Sequence, residues 1–238
     1  MKWEKITATE MLAYLGFAIV MGIVHLPEVE DYWKLDPYLH YSPIADRISR
    51  NRYREIGRYL HFVDNTTLPT RGQVNFDRLG KVRPIIEHMS TVFKNSYQPH
   101  CECAIDEAMI PFQGRSSLKQ YLPLKPVKRG IKVWVLADSH NGYFSNFQIY
   151  TGKGQNHTTD LGLGGSVVKS LARPLAGKNH HVFMDSFFTS IALFESLLCD
   201  GIYACGTIWH NRRDFPEDLR ERKNTEIKKR FIVYVCVC

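Results

Sequence analysis

The chain has 238 residues, of which 44% are hydrophobic and 23% are charged, a composition ordinary for one large or two small globular domains. Thirty-one Lys and Arg against 24 Asp and Glu give a net charge of +7, which favours an anionic partner without separating nucleic acid from acidic lipid or from simple solubility. The longest apolar stretch, Met11 to Leu26, is shorter than the roughly 20 residues of a membrane span, and six cysteines form no dense disulfide framework, so we expect no membrane and a reducing compartment.

The first hundred residues have the spacing of helices. The apolar stretch is preceded by Thr7-Ala8-Thr9-Glu10, which has the sequence pattern of a capping box. This pattern predicts a buried helix through the apolar stretch and disfavours a signal peptide or anchor. Ser42-Pro43 predicts a second helix with proline at its first position, and Ser49 caps a third. A further helix is predicted from about Asp77, with Pro84 as its kink.

Basic residues are concentrated in two places. The second and third helices carry Arg47, Arg50, Arg52, Arg54 and Arg58, and a later loop carries Lys119, Lys125, Lys128 and Arg129. A solvated helix face and a phosphate-binding surface both account for the arginines, and the sequence does not separate the two. We take Arg50, Arg52 and Arg54, together with the four basic loop residues, as the candidate DNA contacts.

From Cys101 onward the pattern changes from helical to alternating. The predicted strands are Ala104 to Phe112, Ile131 to Ala137, Tyr143 to Thr151, His181 to Asp185 and Ile202 to Ile208. His140-Asn141-Gly142 indicates a hairpin between the second and third strands. Helices follow the third and fourth strands, the second of them capped by Thr189 or Ser190, so the order is β-β-β-α-β-α-β. This order describes a ribonuclease-H-like mixed α/β sheet, in which the first and fourth strands are neighbours.

Two aspartates lie in these neighbouring strands. Asp106 and Asp185 each interrupt an apolar run, where an unpaired carboxylate is costly to bury. A strand-end cap or an ion pair explains either residue alone. Side by side, the two carboxylates predict a magnesium site of the kind used in phosphoryl transfer.

The blocks around these aspartates carry a specific resemblance. They include Ile105 to Arg115, Lys119-Gln120-Tyr121, Lys125-Pro126 before Gly130-Ile131-Lys132, His180 to Ser190 and Gly201 to Thr207, and in the helical half Asp31-Tyr32-Trp33 and Ser49 to Tyr53. In this order, over roughly residues 6 to 213, they resemble the transposase core of the piggyBac family.

The resemblance implies a nuclear DDE-type DNA transposase that acts on double-stranded DNA and excises an element bounded by TTAA. It implies that Asp106 and Asp185 are the first and second catalytic aspartates and metal ligands, with two Mg²⁺ ions in a complete family member and at most one here. The family's third aspartate is implied to follow the fifth strand and an inserted region. None of the later aspartates Asp200, Asp214 and Asp218 has the expected context, so we expect no strand cleavage by this chain.

Three domains are predicted: a helical DNA-binding or dimerisation-type domain over residues 1–100, the N-terminal part of the catalytic core over 101–210, and a charged loop with a non-family tail over 211–238. The apolar tail from Phe231 suggests a truncated reading frame rather than an evolved strand. Cys236 and Cys238 supply too few ligands for structural zinc, and Cys101 and Cys103 lie far away in sequence. An active transposase completed by a longer chain, a non-catalytic domesticated DNA-binding protein and a fragment with no function all stay open, as does homodimerisation.

Overall fold

The computed structural model describes residues 3–152 and 160–209, together with Arg212, Phe215, Glu217 and the backbone of residues 231–235. It divides into two compact units, residues 1–64 and residues 65–238. This division differs from the predicted boundary at residue 100, because the last helix before the sheet belongs to the second unit. None of the helices in the described ranges has the length and apolarity that a bilayer crossing requires.

The first unit is built from helices α1 (Ala8–Met21), α2 (Ser42–Ala45) and α3 (Arg50–Tyr59). The predicted caps of α1 and α3 are confirmed, because Thr7 Oγ1 accepts a hydrogen bond from the Glu10 amide at 3.1 Å and Ser49 Oγ accepts one from the Arg52 amide at 3.2 Å. Helix α2 instead starts at Ser42 itself, with Tyr41 before it. The buried core of this unit consists of Tyr32, Ile44, Ile48 and Ile56.

Helix α1 is less buried than its apolar sequence predicts. One face packs on the core through side chains that include Met11, Tyr14 and Phe17. Within the first unit the other face is exposed, with Leu12 at 70% and Ile19 at 67% of full exposure. The expectation of a buried helix was therefore wrong, because a nearly continuous apolar run does not show which side of the helix the rest of the chain covers.

The second unit contains a mixed sheet with three helices. Its helices are α4 (Arg83–Ser96), α5 (Gly162–Ala172) and α6 (Ile191–Cys199). Its strands are β1 (Glu102–Pro111), β2 (Lys119–Tyr121), β3 (Arg129–Asp138), β4 (Phe144–Ile149), β5 (His181–Met184), β6 (Tyr203–Ile208) and β7 (Phe231–Val235). The sheet order is β2-β3-β1-β5-β6-β7, and β4 also pairs with β3. Apart from the additional β2 and β7, the predicted order of strands and helices is confirmed.

The pairing in the sheet changes from antiparallel to parallel at β1 and returns to antiparallel at the β6–β7 edge. Strand β1 pairs antiparallel with β3, while β5 pairs parallel with both β1 and β6. Alternate residues of β1 and β5 face a core that includes α5 and α6, among them Ile105 and Met184. Their successors Asp106 and Asp185 are exposed, so the alternation removes both carboxylates from the core.

Two local expectations need correction. Pro84 lies in the first turn of α4, where its missing N–H costs no helical hydrogen bond, and it is not a kink. The segment Phe231–Val235 pairs antiparallel with β6, from Ala204 opposite Val235 to Ile208 opposite Phe231. It is therefore a strand of the sheet, whereas Cys236 and Cys238 lie outside the described residues.

Candidate metal centre and basic loop

The candidate site lies where β5 ends beside β1. Their parallel pairing runs from Glu102 opposite His181 to Ile105 opposite Met184. The next residues along the chain are Asp106, still on β1, and Asp185, the first residue after β5, so the predicted adjacency is present in the structure. Beyond Ile105 this edge of β1 has no pairing with β5, which leaves room for side chains to meet at the end of β5.

Three carboxylates converge at this edge. Oxygen atoms of Asp106, Glu107 and Asp185 all lie within 4.8 Å of one another. The Glu107 amide also donates a hydrogen bond to Asp106 Oδ1 at 2.7 Å. We name these three residues the carboxylate cluster. Desolvation is the main cause that raises the pKa of Asp106, and the charge of the Glu107 carboxylate adds to the rise, while the Glu107 amide and the charge of Lys125 act against it.

The loop after β5 fixes the position of Asp185. Asp185 Oδ1 accepts a hydrogen bond from the Phe187 amide at 2.9 Å, and its carbonyl accepts one from Thr189 Oγ1 at 2.7 Å. Arg212 donates to the carbonyls of Ser186 at 2.6 Å and Phe187 at 3.0 Å. Hydrogen bonds within the loop and hydrogen bonds from Arg212 therefore hold the loop in place. They restrict the orientation of the Asp185 carboxylate.

Gly206 lets strand β6 approach this loop. A Cβ at position 206 would lie 2.6 Å from both the Met184 carbonyl and Thr189 Oγ1. No ordinary contact is that short, so a larger residue would push β6 away from the start of the Asp185 loop.

Lys125 brings a positive charge to the carboxylate cluster. Its Nζ lies 3.1 Å from Glu107 Oε1, and only about a third of its side chain is exposed. The hydrogen bond to Glu107 raises the pKa of Lys125, and the charges of Asp106 and Asp185 act in the same direction. Because Lys125 belongs to the loop between β2 and β3, this pair joins the basic loop to the carboxylates.

The other candidate residues of the basic loop have different surroundings. Lys128 and Arg129 are exposed, and the Arg129 guanidinium lies 5.4 Å from the centre of the Tyr121 ring. Lys119 is half-buried and donates to the Gly114 carbonyl at 3.0 Å. Lys128 and Arg129 are therefore the members of the set with the most accessible charges.

The arginines of α3 are not equivalent. Arg52 donates to Glu10 at 2.7 Å and to Glu55 at 3.0 Å, and these carboxylates raise its pKa. Arg54 pairs with Glu30, while Arg50 is exposed. The Arg52 guanidinium ties α1 to α3, a placement that favours a structural role over a phosphate contact.

The later aspartates provide no further member of the carboxylate cluster in the described part of the chain. Asp200 ends α6 and pairs with Lys169, in agreement with its interpretation as a helix C-terminal residue. Asp214 and Asp218 lie outside the described residues.

Sequence reasoning missed three residues of this site. From the sequence, Glu107 and Arg212 received no role, and Lys125 was assigned to DNA alone. The Asp-Glu pair at 106–107 was a usable signal for Glu107. The contacts of Lys125 and Arg212 depend on loops meeting in space, for which the sequence offered no spacing rule.

Comparisons with known proteins agree with this architecture. The family model described as Transposase IS4 matches residues 1–235, and so extends past the predicted resemblance into β7. Human PiggyBac transposable element-derived protein 2 is 32% identical over 93% of this chain, and the match covers 39% of that protein. Human PiggyBac transposable element-derived protein 3 is 30% identical over 94% of this chain, and the match covers 37% of that protein. A piggyBac transposase in a synaptic complex with hairpin DNA, determined by cryo-EM, superposes with a TM-score of 0.80 at 27% identity. That match covers 94% of this chain and 47% of the transposase chain.

Proposed function

The chain belongs to the piggyBac-type IS4 transposase family. We propose that it binds double-stranded DNA through its basic loop and binds divalent cations at the carboxylate cluster. The site is related to that of TTAA-specific cut-and-paste transposition by metal-dependent phosphoryl transfer. The chain spans about two fifths of the length of its curated relatives. Excision and target choice are proposed only for a chain that also supplies a third catalytic aspartate, and action in the nucleus is part of the same proposal.

One observation carries this proposal: the carboxylate cluster and the basic loop meet through Lys125 and Glu107, 3.1 Å apart. A DNA strand held by Lys128 and Arg129 brings its phosphates near the carboxylates. The piggyBac neighbour is described in complex with hairpin DNA, which supports DNA as the partner of this chain.

The residues of the cluster fit a divalent cation. All three ligands are oxygens, the donor type that Mg²⁺ prefers, and the three carboxylates lie close enough together to share one cation. Asp106 and Asp185 would hold the ion, and Glu107 would contribute once it is released from Lys125. A bound Mg²⁺ supplies Lewis-acid stabilisation of charge on phosphoryl oxygens.

The protein's own groups act by positioning. Hydrogen bonds within the Asp185 loop orient its carboxylate, and Arg212 holds the loop's carbonyls. Lys125 offsets part of the negative charge that repels a phosphate, so the backbone of DNA can approach the carboxylates.

A non-catalytic DNA-binding protein is the second candidate, and it is favoured because the described residues place no third aspartate beside Asp106 and Asp185. A lysine paired with one carboxylate reduces the charge available for a second cation. Mg²⁺-dependent nicking of hairpin DNA by the parent chain but not by Asp106→Asn supports the catalytic function, whereas binding without nicking supports the second candidate.

The DNA part of the proposal predicts a change in salt dependence. The double variant Lys128→Ala/Arg129→Ala is expected to bind a duplex more weakly and to lower the slope of log K against log salt by about 2, because each lost phosphate contact contributes about 1. Fluorescence anisotropy with a labelled duplex between about 50 and 200 mM salt measures both quantities.

Lys178→Ala is the matched control, since it removes an exposed positive charge three residues before β5 begins, at the opposite end of that strand from Asp185. It should leave the slope unchanged. A loop variant with the same affinity and slope as the parent chain would remove the basic loop from the proposal.

The ion pair predicts an effect of Lys125 on cation binding. Lys125→Met keeps the aliphatic chain and removes the charge, so the Kd for Mn²⁺ is expected to fall about 3- to 10-fold, corresponding to on the order of 1 kcal/mol of repulsion at a partly exposed site. Mn²⁺ titration followed by electron paramagnetic resonance measures the change. Lys128→Met, in the same loop, should alter the Kd less, and weaker binding by Lys125→Met would contradict the account.

A further inference from the structure

A second group of metal-ligating side chains lies at the other end of the β1–β5 pair. Donor atoms of Cys101, Glu102 and His181 all lie within 4.8 Å of one another. Glu102 is directly opposite His181 in the parallel pairing, and the His181 amide donates to the Cys101 carbonyl at 2.8 Å. The backbone pairing of two strands therefore brings these three side chains together.

The donors in this group differ in kind from those of the carboxylate cluster. One sulfur, one imidazole nitrogen and one carboxylate oxygen suit Zn²⁺, which accepts all three, and they suit Mg²⁺ poorly. Cys101 and Glu102 are exposed, so an ion can reach them and water can complete a tetrahedral shell. Cys103, the other cysteine near the start of β1, is buried in the core and takes no part in this group.

Neighbouring groups restrain two of the ligands. The His181 ring packs edge-to-face on Tyr203, with ring centroids 5.2 Å apart. The Cys101 thiol lies 3.4 Å from the Asn179 carbonyl, a weak contact that a metal-bound thiolate would give up. The contact with Tyr203 limits the motion of the His181 ring before an ion binds, which lowers the entropic cost of ordering this ligand.

The two sites are separate in space. Glu102 lies four residues before Asp106 on β1. His181, the first residue of β5, lies four residues before Asp185. At roughly 3.3 Å per residue this places them about 13 Å apart along the strands. An ion at one site shares no ligand with an ion at the other.

We propose that Cys101, Glu102 and His181 form a Zn²⁺-binding site at the amino ends of β1 and β5, independent of the carboxylate cluster. The ion bridges two strands that are paired by only four residues each. Its binding therefore stabilises the strand pair on which Asp106 and Asp185 are placed.

Co²⁺, a spectroscopic substitute for Zn²⁺, tests the proposal directly. The parent chain under reducing conditions should give a thiolate-to-Co²⁺ charge-transfer band that Zn²⁺ abolishes and excess Mg²⁺ does not. Cys101→Ser should lose the band, and His181→Gln and Glu102→Gln should each weaken Zn²⁺ binding about 10- to 100-fold in calorimetry.

Cys199→Ser is the matched control, because Cys199 is also an exposed free cysteine but lies at the end of α6. It should keep the band, and so should the double variant Asp106→Asn/Asp185→Asn, which separates this site from the proposed function. A parent chain without the band would overturn the proposal. Persistence of the full band in Cys101→Ser would also overturn it, since the thiolate would then come from another cysteine.

Discussion

Asp106→Asn and Asp185→Asn are each expected to weaken Mn²⁺ binding by about 100-fold or more. Loss of a residue that only supports a metal ligand costs about 10- to 100-fold, and loss of a ligand itself should cost no less. Each substitution keeps the size of the side chain and replaces one anionic ligand of the carboxylate cluster by a neutral amide. Glu107→Gln should have a smaller effect, because Glu107 already shares its charge with Lys125 at 3.1 Å. Electron paramagnetic resonance of free Mn²⁺ gives the three Kd values under one set of conditions.

Asp200→Asn is the control for these variants. Asp200 follows α6 and pairs with Lys169, away from the end of β5. Its substitution should leave Mn²⁺ affinity unchanged. If Asp200→Asn weakened binding as much as Asp106→Asn, the effect would be one of general charge and the cluster would not be the metal centre.

Asp138→Ala is expected to lower the free energy of unfolding by about 3–5 kcal/mol, the typical cost of removing one partner from a buried charged network. The Asp138 carboxylate is fully buried at the end of β3. It accepts hydrogen bonds from Tyr97 Oη at 2.7 Å, from the His100 amide at 2.9 Å and from the His140 amide at 2.8 Å. Alanine would leave two backbone amides without their acceptor, whereas Asp138→Asn keeps one acceptor oxygen and should cost less.

The same network predicts how this stability depends on pH. Burial alone would raise the pKa of Asp138, but the hydrogen bonds from His100, Tyr97 and His140 outweigh it and hold the pKa well below its usual range. The contribution is therefore complete above the unfolded-state pKa of about 3.9 and is lost as the pH falls towards the lower folded-state value. The difference between the parent chain and Asp138→Ala should shrink below about pH 4.

Urea unfolding followed by circular dichroism measures these differences. Glu195→Ala on the exposed face of α6 is the matched control and should change the free energy of unfolding by no more than about 0.5 kcal/mol. A difference for Asp138→Ala that stayed below about 1 kcal/mol, or one independent of pH, would show that the network does not hold the end of β3.

The sheet could be predicted from the sequence because its signals are local. Alternation identified β1, β3, β4, β5 and β6. Ser49 marked a helix start that the structure confirms, and of the two predicted caps Thr189 and Ser190 the structure uses Ser190. The strand order then placed Asp106 beside Asp185 without any knowledge of side-chain contacts. Topology and period-two alternation were sufficient for this step.

Contacts between distant segments could not be predicted in the same way. Arg52 has its main partner in Glu10, 42 residues earlier, and therefore appeared in the sequence as one of five similar arginines. Lys125 meets Glu107 because a loop folds back on β1, and Cys101 meets His181 because two strands start together. In each case the chemistry of a side chain depends on a neighbour that only the fold supplies.

The most direct test of the metal centre is an NMR titration of the isotope-labelled chain with Mn²⁺, whose paramagnetism broadens signals of nearby nuclei. The account predicts that the backbone amides of residues 105–107 and 185–187 broaden first, at the lowest Mn²⁺ concentrations, and that Asp106→Asn prevents this broadening. Sharp signals at these positions while amides elsewhere broaden would contradict a metal centre at the end of β5.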